Sequence, residues 1–289
     1  MRNRAVLFGI GMSVFVVGWA MPSMGYAAAP AVVPTSSYVE RLDTGAVVQS
    51  TRADLPRPIA SLTKLTTAMV LLDARVDLDR SVAYDPARHY AYRNWMHFAR
   101  GDRLQGRDLF LALLVGSQNI PARMLVDLTP YTEREFIAAM NTKARALGLR
   151  HTKFVDVHGL DPANVSTAAE VARTFAAALE YPEIRSMLAR SRATVTVTAR
   201  NGRTSPRQFA HTNILLKQWQ RFATEASKTG YLHEAGDTIA MLIRDPKTGS
   251  RAIVVTLGEP RRSPRFAIAR RLAERAIRAT KIAGTIDPK

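Results

Sequence analysis

Ser61-Leu62-Thr63-Lys64 sets a hydroxyl and an amine three residues apart, a spacing that puts both on one face if the segment is helical. A serine attacks a carbonyl at neutral pH only with a base beside it, and a deprotonated lysine can be that base. A lysine in a first helical turn opposes the positive end of the helix dipole, which lowers its pKa toward that neutral form. With 15 serines and 8 lysines in the chain, roughly 0.4 such matches arise by chance, so the spelling alone equally describes a capped helix with a solvated lysine. Two more polar sets could serve the same site. Gly116-Ser117-Gln118-Asn119 follows the apolar run Leu111 to Val115 and would offer a hydroxyl and a carboxamide from an interhelical turn, although a plain capped turn reads the same way. Lys228-Thr229-Gly230 brings a cation and a hydroxyl suited to a carboxylate, with Gly230 allowing a ligand backbone close. A second Lys-Thr-Gly at Lys247 to Gly249 follows Asp245-Pro246 and reads as a hairpin turn.

The elements that must hold these residues are legible in outline. Leu62, Leu65, Met69 and Leu72 recur at helical spacing and predict a helix from about 61 to 75. Tyr38 to Leu42 and Ala46 to Ser50 flank Asp43-Thr44-Gly45 as a hairpin. Helices are predicted over Asp108 to Val115, Ile120 to Leu128, Glu133 to Leu147, Thr167 to Leu179 and Glu183 to Leu188. Strands follow at Ala193 to Thr198, Glu225 to Lys228, Thr238 to Arg244 and Ala252 to Leu257, the last two as an antiparallel hairpin. Phe266 to Ile282 carries Ile268, Leu272, Ala276, Ala279 and Ile282 against a row of arginines, an amphipathic helix whose small apolar residues suit packing on a sheet. Strands at both ends around central helices predict one antiparallel sheet built from the two chain ends, with a helical lobe of about 61–190 inserted in it: an α+β fold.

The 289 residues suffice for one sizeable core. Residues 1–29 have another character: Arg2 and Arg4, an apolar run from Ala5 to Met21 broken by glycines, then small residues through Ala29. That order predicts a signal peptide cleaved after Ala27 or Ala29, hence export, with residues 30–289 as a single catalytic domain. There are no cysteines, which excludes disulfides, thiolate chemistry and lipoprotein anchoring. The 6 histidines include no His-x-x-x-His pair, so neither a metal nor another cofactor is implied. A net charge of +17 would suit nucleic acid, but an exported chain meets anionic wall polymers, membrane surfaces and acidic peptides instead. Genome composition and a solvated surface account for the arginines as readily.

In the order Ser-x-x-Lys, Ser-x-Asn, Lys-Thr-Gly, on a helix start, an interhelical turn and a strand, the three motifs resemble the signature of penicillin-binding proteins and serine β-lactamases. The runs Arg57 to Met69, Gly159 to Ala168 and Ser227 to Gly236 are similar to the low-molecular-mass D-alanyl-D-alanine endopeptidases and carboxypeptidases, a likeness spanning about 36–280. This resemblance implies a β-lactamase/D,D-peptidase-like fold with the site where sheet and helical lobe meet. It implies Ser61 as nucleophile, Lys64 as its base, Ser117 as proton relay and Asn119 as a holder of the substrate amide. Lys228 and Thr229, with Gly230, would grip a carboxylate, and the backbone N–H groups of Ser61 and Tyr231 would form the oxyanion hole. The substrates implied are peptidoglycan peptides in the periplasm, with β-lactams as covalent inhibitors, no nucleic acid, and membrane contact only through the signal peptide.

Departures from the family pattern fall at the cleft. Ile120-Pro121 stands where relatives carry small or acidic residues, so the cleft edge is expected to differ, and His158 replaces a Thr or Ser before Gly159, near the site. Arg261, Arg262 and Arg265 are alternatives for a further carboxylate-binding arginine, and Tyr90, Tyr92, Trp95 and Phe98 could line a groove or cover the lobe. A class A β-lactamase needs a glutamate after Ser-x-Asn, whereas His158 to Ala168 offers only Asp161. A non-catalytic wall binder is the alternative outside enzymes. Within them, the short segment after Lys228-Thr229-Gly230 leaves no room for the C-terminal β domain of many carboxypeptidases and favours the endopeptidase.

Overall fold

The computed structural model describes residues 35–216, 221–260 and 266–283, so the leader and Arg261, Arg262 and Arg265 lie outside the described residues. In chain order the elements are β1 (Ser36–Arg41), β2 (Val47–Thr51), β3 (Arg57–Pro58), α1 (Thr63–Asp73), β4 (Ser81–Ala83), α2 (Pro86–His89), β5 (Arg103–Gln105), α3 (Gly106–Leu114) and α4 (Ile120–Val126). Then follow α5 (Glu133–Ala146), β6 (Val165–Ser166), α6 (Ala168–Leu179), α7 (Pro182–Leu188), β7 (Arg192–Thr198), β8 (Thr204–Ala210), β9 (Ala223–Leu232), β10 (Gly236–Arg244), β11 (Arg251–Glu259) and α8 (Ala267–Ala283).

The main sheet has the order β2-β1-β11-β10-β9 and is antiparallel throughout, so the two chain ends meet where Tyr38 pairs with Val255. Successive residues of β10 serve opposite faces, as the strand period requires. Ile239, Met241 and Ile243 pack with Ala269, Ala273 and Ala276 of α8, while Ala240 and Leu242 join the core of the helical lobe. The expected stripe on α8 is thus turned by about a residue: Ile268 and Leu272 are only half-buried, and the alanines let the helix lie close to the sheet. The side chains of Ala279 and Ile282 lie outside the described set. At the junction, the buried Glu259 carboxylate accepts from the backbone N–H groups of Ile268 and Ala269, filling the positive end of α8.

Against the expectation of a single sheet, β7 belongs to a second antiparallel sheet of order β4-β5-β7-β8. Ala193, Val195 and Val197 bury one face of β7 and leave the other exposed, so the strand needs only a partner on that level. Its partner β8 was not legible because Thr204–Ala210 is polar, holds Pro206 and is nowhere fully buried. Helix α1 is buried on all sides from Thr63 to Leu71, including Lys64, and so lacks the polar face of a surface helix. Among the described residues no helix is long and apolar enough to cross a membrane.

Candidate active site

Ser61 does not open a regular α-helix, as its spacing predicts, but sits in a 3₁₀ turn (Ala60–Leu62) immediately before α1. The turn is forced from both sides. Ala60 has φ +49°, a left-handed conformation that costs about 1–3 kcal/mol in a residue with a side chain. Gly159, itself at φ +84°, lies so near that a methyl there would stand 2.0 Å from the Ala60 carbonyl oxygen. Gly230 of β9 approaches from the sheet, where a Cβ would stand 2.7 Å from the Ser61 nitrogen. Strand β9 extends four residues beyond its predicted end, so Lys228-Thr229-Gly230 lies within a hydrogen-bonded edge strand rather than at its end.

Lys64 is fully buried, and its Nζ lies 2.8 Å from Ser61 Oγ, 2.8 Å from Asn119 Oδ1 and 2.5 Å from the His158 carbonyl oxygen. The orientation of the Asn119 carboxamide follows from its other end, because its Nδ2 must donate to the Tyr92 carbonyl at 3.0 Å. Two of the three partners of Lys64 can therefore only accept; Ser61 alone has a proton to give. A neutral Lys64 would spend its two N–H groups on Asn119 and His158 and turn its lone pair to the Ser61 hydroxyl. Burial pushes its pKa from an ordinary 10.5 down to about 7, against an opposing pull from the Asp156 carboxylate. Desolvation is thus the main cause, where sequence reasoning invoked the helix dipole.

Asp156 went unnoticed in the sequence. Its carboxylate accepts from the backbone N–H groups of His158, Gly159, Leu160 and Asp161, which shapes the loop that presents the His158 carbonyl to Lys64. Burial alone would raise the Asp156 pKa, but the contact with His158 and these N–H bonds hold it far below the carboxylate range. The His158 ring turns to Asp156, 3.2 Å away, and the residue meets the site only through its backbone.

A second buried lysine comes from the sheet side of the site. The buried Lys228 donates from Nζ to Ser117 Oγ at 2.6 Å and to its neighbour's carbonyl, Thr229 O, at 2.8 Å. Ser117 has φ +54°, the second strained residue at the site. Thr229 shares a short hydrogen bond with the hydroxyl of Thr212, another residue not singled out from sequence. Thr212 is held by a buried clip in which His211 Nε2 meets Ser227 O at 2.9 Å and Asn213 Nδ2 donates to Ser227 Oγ at 2.9 Å. With Asn213 N–H donating to Nδ1 of His211, the ring must be neutral with its proton on Nε2.

Ser61, Ser117, Asn119, Thr229, Gly230 and Tyr231 line one open cavity of about 640 Å³, with Lys64 and Lys228 beneath its floor. Tyr92 and Trp95 line it too, but Phe98 is buried in the lobe and Tyr90 faces solvent outside it. Ile120 and Pro121 are buried, open α4 and do not themselves line the cavity. Among the described residues no His, Asp or Glu cluster suits a metal ion. Asp161 binds the Ala163 N–H within its own loop, and the one carboxylate among the described lining residues is Glu234.

The chain matches the family model described as D-alanyl-D-alanine carboxypeptidase over residues 26–261. A D-alanyl-D-alanine endopeptidase of Escherichia coli is 34% identical over 216 residues, 74% of this chain and 68% of the relative. One from Pseudomonas aeruginosa is 32% identical over 249 residues, 83% and 78% of the two chains. The crystal structure of a Streptomyces DD-transpeptidase shares the fold, with a TM-score of 0.72 and 24% identity over 86% of this chain and 96% of the other. A family match over most of the sequence, joined by relatives above 30% identity, means that this chain belongs to the D-alanyl-D-alanine carboxypeptidase family and is a serine D,D-peptidase.

Proposed function

We propose that the protein is an exported D-alanyl-D-alanine endopeptidase that cuts peptidoglycan cross-links through an acyl-enzyme on Ser61. The observation that carries the chemistry is the buried Lys64, pushed down to about 7 and bonded to the one neighbour able to give it a proton. Lys64 takes the Ser61 proton as Oγ attacks the carbonyl of a D-alanine residue. The developing oxyanion is held by the backbone N–H groups of Ser61 and Tyr231, beside which Gly230 keeps the strand close. Ser117, its oxygen occupied by Lys228, gives its own proton to the leaving amine, and the proton that Lys64 took from Ser61 replaces it, which leaves Lys64 neutral again. Lys228, Thr229 and Thr212 hold the carboxylate of the leaving side. Asn119 keeps Lys64 in place and offers its Nδ2 to a substrate amide in exchange for Tyr92 O. Water then releases the acyl group.

Endopeptidase is preferred to carboxypeptidase because two relatives above 30% identity that share most of their length with the chain are endopeptidases by name. Purified cross-linked muropeptide dimers test the choice: conversion to monomers supports it, while release of terminal D-alanine from pentapeptides with dimers left intact makes the protein a carboxypeptidase. A β-lactam should acylate Ser61 and leave slowly, since the loop of residues 158–168 has no glutamate and places no carboxylate in the cavity lining; rapid penicillin turnover would contradict this. Export by the leader is tested by finding the mature chain in the periplasm, shortened at Ala27 or Ala29.

A further inference from the structure

The loop from Tyr90 to Phe98 divides its side chains between core and surface. Met96 and Phe98 are buried, the latter against Tyr84 with ring centroids 5.5 Å apart. Tyr92 and Trp95 are 61% and 65% exposed, although both are large and both line the cavity of Ser61. The loop is braced: Asn119 Nδ2 donates to Tyr92 O at 3.0 Å, Arg123 Nη1 to Tyr90 O at 2.7 Å, and the Asn94 carboxamide closes on both backbone groups of Phe98 at 3.0 Å. Exposed aromatics on a fixed backbone at a cleft mark a contact surface rather than incomplete packing.

Arg93 lies between them, in the left-handed conformation with φ +70°. Its guanidinium carbon is 5.4 Å from the Tyr92 ring centroid and 5.8 Å from that of Trp95. A guanidinium stacked on rings still has the N–H fork along its edge, the geometry that binds a carboxylate in two places. Among the described residues no carboxylate pairs with it.

We propose that Tyr92, Arg93 and Trp95 form a second recognition site, one that holds a free carboxylate carried on an aliphatic peptide stem. The guanidinium fork takes the anion and the two ring faces take the methylenes. This rests on the reading of the substrate as a cross-linked wall peptide, which brings more carboxylates into the cleft than the single one that Lys228 and Thr229 can hold. The strongly basic chain favours an anionic occupant over a neutral sugar.

The test uses the full chain with Ser61→Ala, so that bound peptide is not consumed, and calorimetric titration with two cross-linked dimers. One has all its carboxylates free; the other is amidated at every carboxylate except the terminal one. Amidation should weaken binding at least tenfold. Arg93→Ala should lose the same factor with the free dimer and less than twofold with the amidated one, and Trp95→Ala should also weaken the free dimer. Arg192→Ala, which removes an exposed arginine of β7, should change neither by more than twofold. Equal binding of both dimers to Ser61→Ala, or an Arg93→Ala that binds the free dimer undiminished, overturns the proposal. Tight binding of a neutral wall-sugar oligomer that Trp95→Ala abolishes and Arg93→Ala does not would give the rings to the glycan and also overturn it. Failure of the endopeptidase reading shows elsewhere, as dimers that wild type leaves uncut, because this titration does not depend on which bond is broken.

Discussion

Replacing Lys64 by methionine should slow acylation severely and yet change stability by an amount that depends on pH. Burial lowers the folded-state pKa of Lys64 from 10.5 to about 7, so below pH 7 the folded protein holds a charge that the unfolded chain carries more easily. At 1.36 kcal/mol per unit this opposes folding by about 5 kcal/mol at pH 6. The cost declines as pH rises from 7 toward 10.5, since the folded form then binds fewer protons than the unfolded one. At pH 9 two units of it are gone, about 3 kcal/mol. Methionine removes the cost but leaves Asn119 Oδ1 and the His158 carbonyl without their donor, a loss of about 1–3 kcal/mol each. That loss is the same at both pH values and cancels in the difference. Urea unfolding of wild type and Lys64→Met at pH 6 and pH 9 should therefore show the variant's relative stability falling by about 3 kcal/mol between them. A difference that stays constant within about 0.5 kcal/mol would refute the claim that Lys64 is a desolvated amine, because measurement and extrapolation errors are of that size.

Acylation of Ser61 by penicillin should rise tenfold per pH unit at low pH and level off above about 7, where Lys64 becomes neutral; a stopped-flow profile flat from pH 5 to 9 would contradict it. Asp156→Asn removes the charge that holds the Lys64 pKa up, so the break should move to lower pH, while melting falls because four backbone N–H groups lose their carboxylate. An unmoved break would deny that coupling. Gly230→Ala sets a methyl 2.7 Å from the Ser61 nitrogen, so strand and nucleophile must separate by about 0.7 Å to reach ordinary contact. Misplacement on that scale costs roughly ten- to a hundredfold in acylation rate, and retention within threefold would contradict the reading of Gly230 as the close-approach residue.

Much of the site was legible because its three motifs are local. Ser61 and Lys64 share one turn, Ser117 and Asn119 another, and Lys228 to Gly230 one strand, so composition and period sufficed to propose their hosts. What escaped depends on contacts that only the fold makes. Asp156 acts through a loop that meets α1 at Lys64 and Thr67, and Thr212 meets Thr229 although 16 residues lie between them. The depth of Lys64 was also hidden: a lysine in a first turn reads as solvated, and the fact that α1 is buried on every side emerges only when sheet and lobe close around it. The second sheet was missed for a similar reason, since β8 is specified by its pairing with β7 and hardly by its own hydrophobicity.

Mass spectrometry of the protein after brief exposure to penicillin addresses the nucleophile itself. One adduct per chain, on the peptide containing Ser61, lost in Ser61→Ala and formed far more slowly in Lys64→Met, is the predicted result. An adduct that persists in Ser61→Ala, or that forms at the wild-type rate without the Lys64 amine, would contradict it.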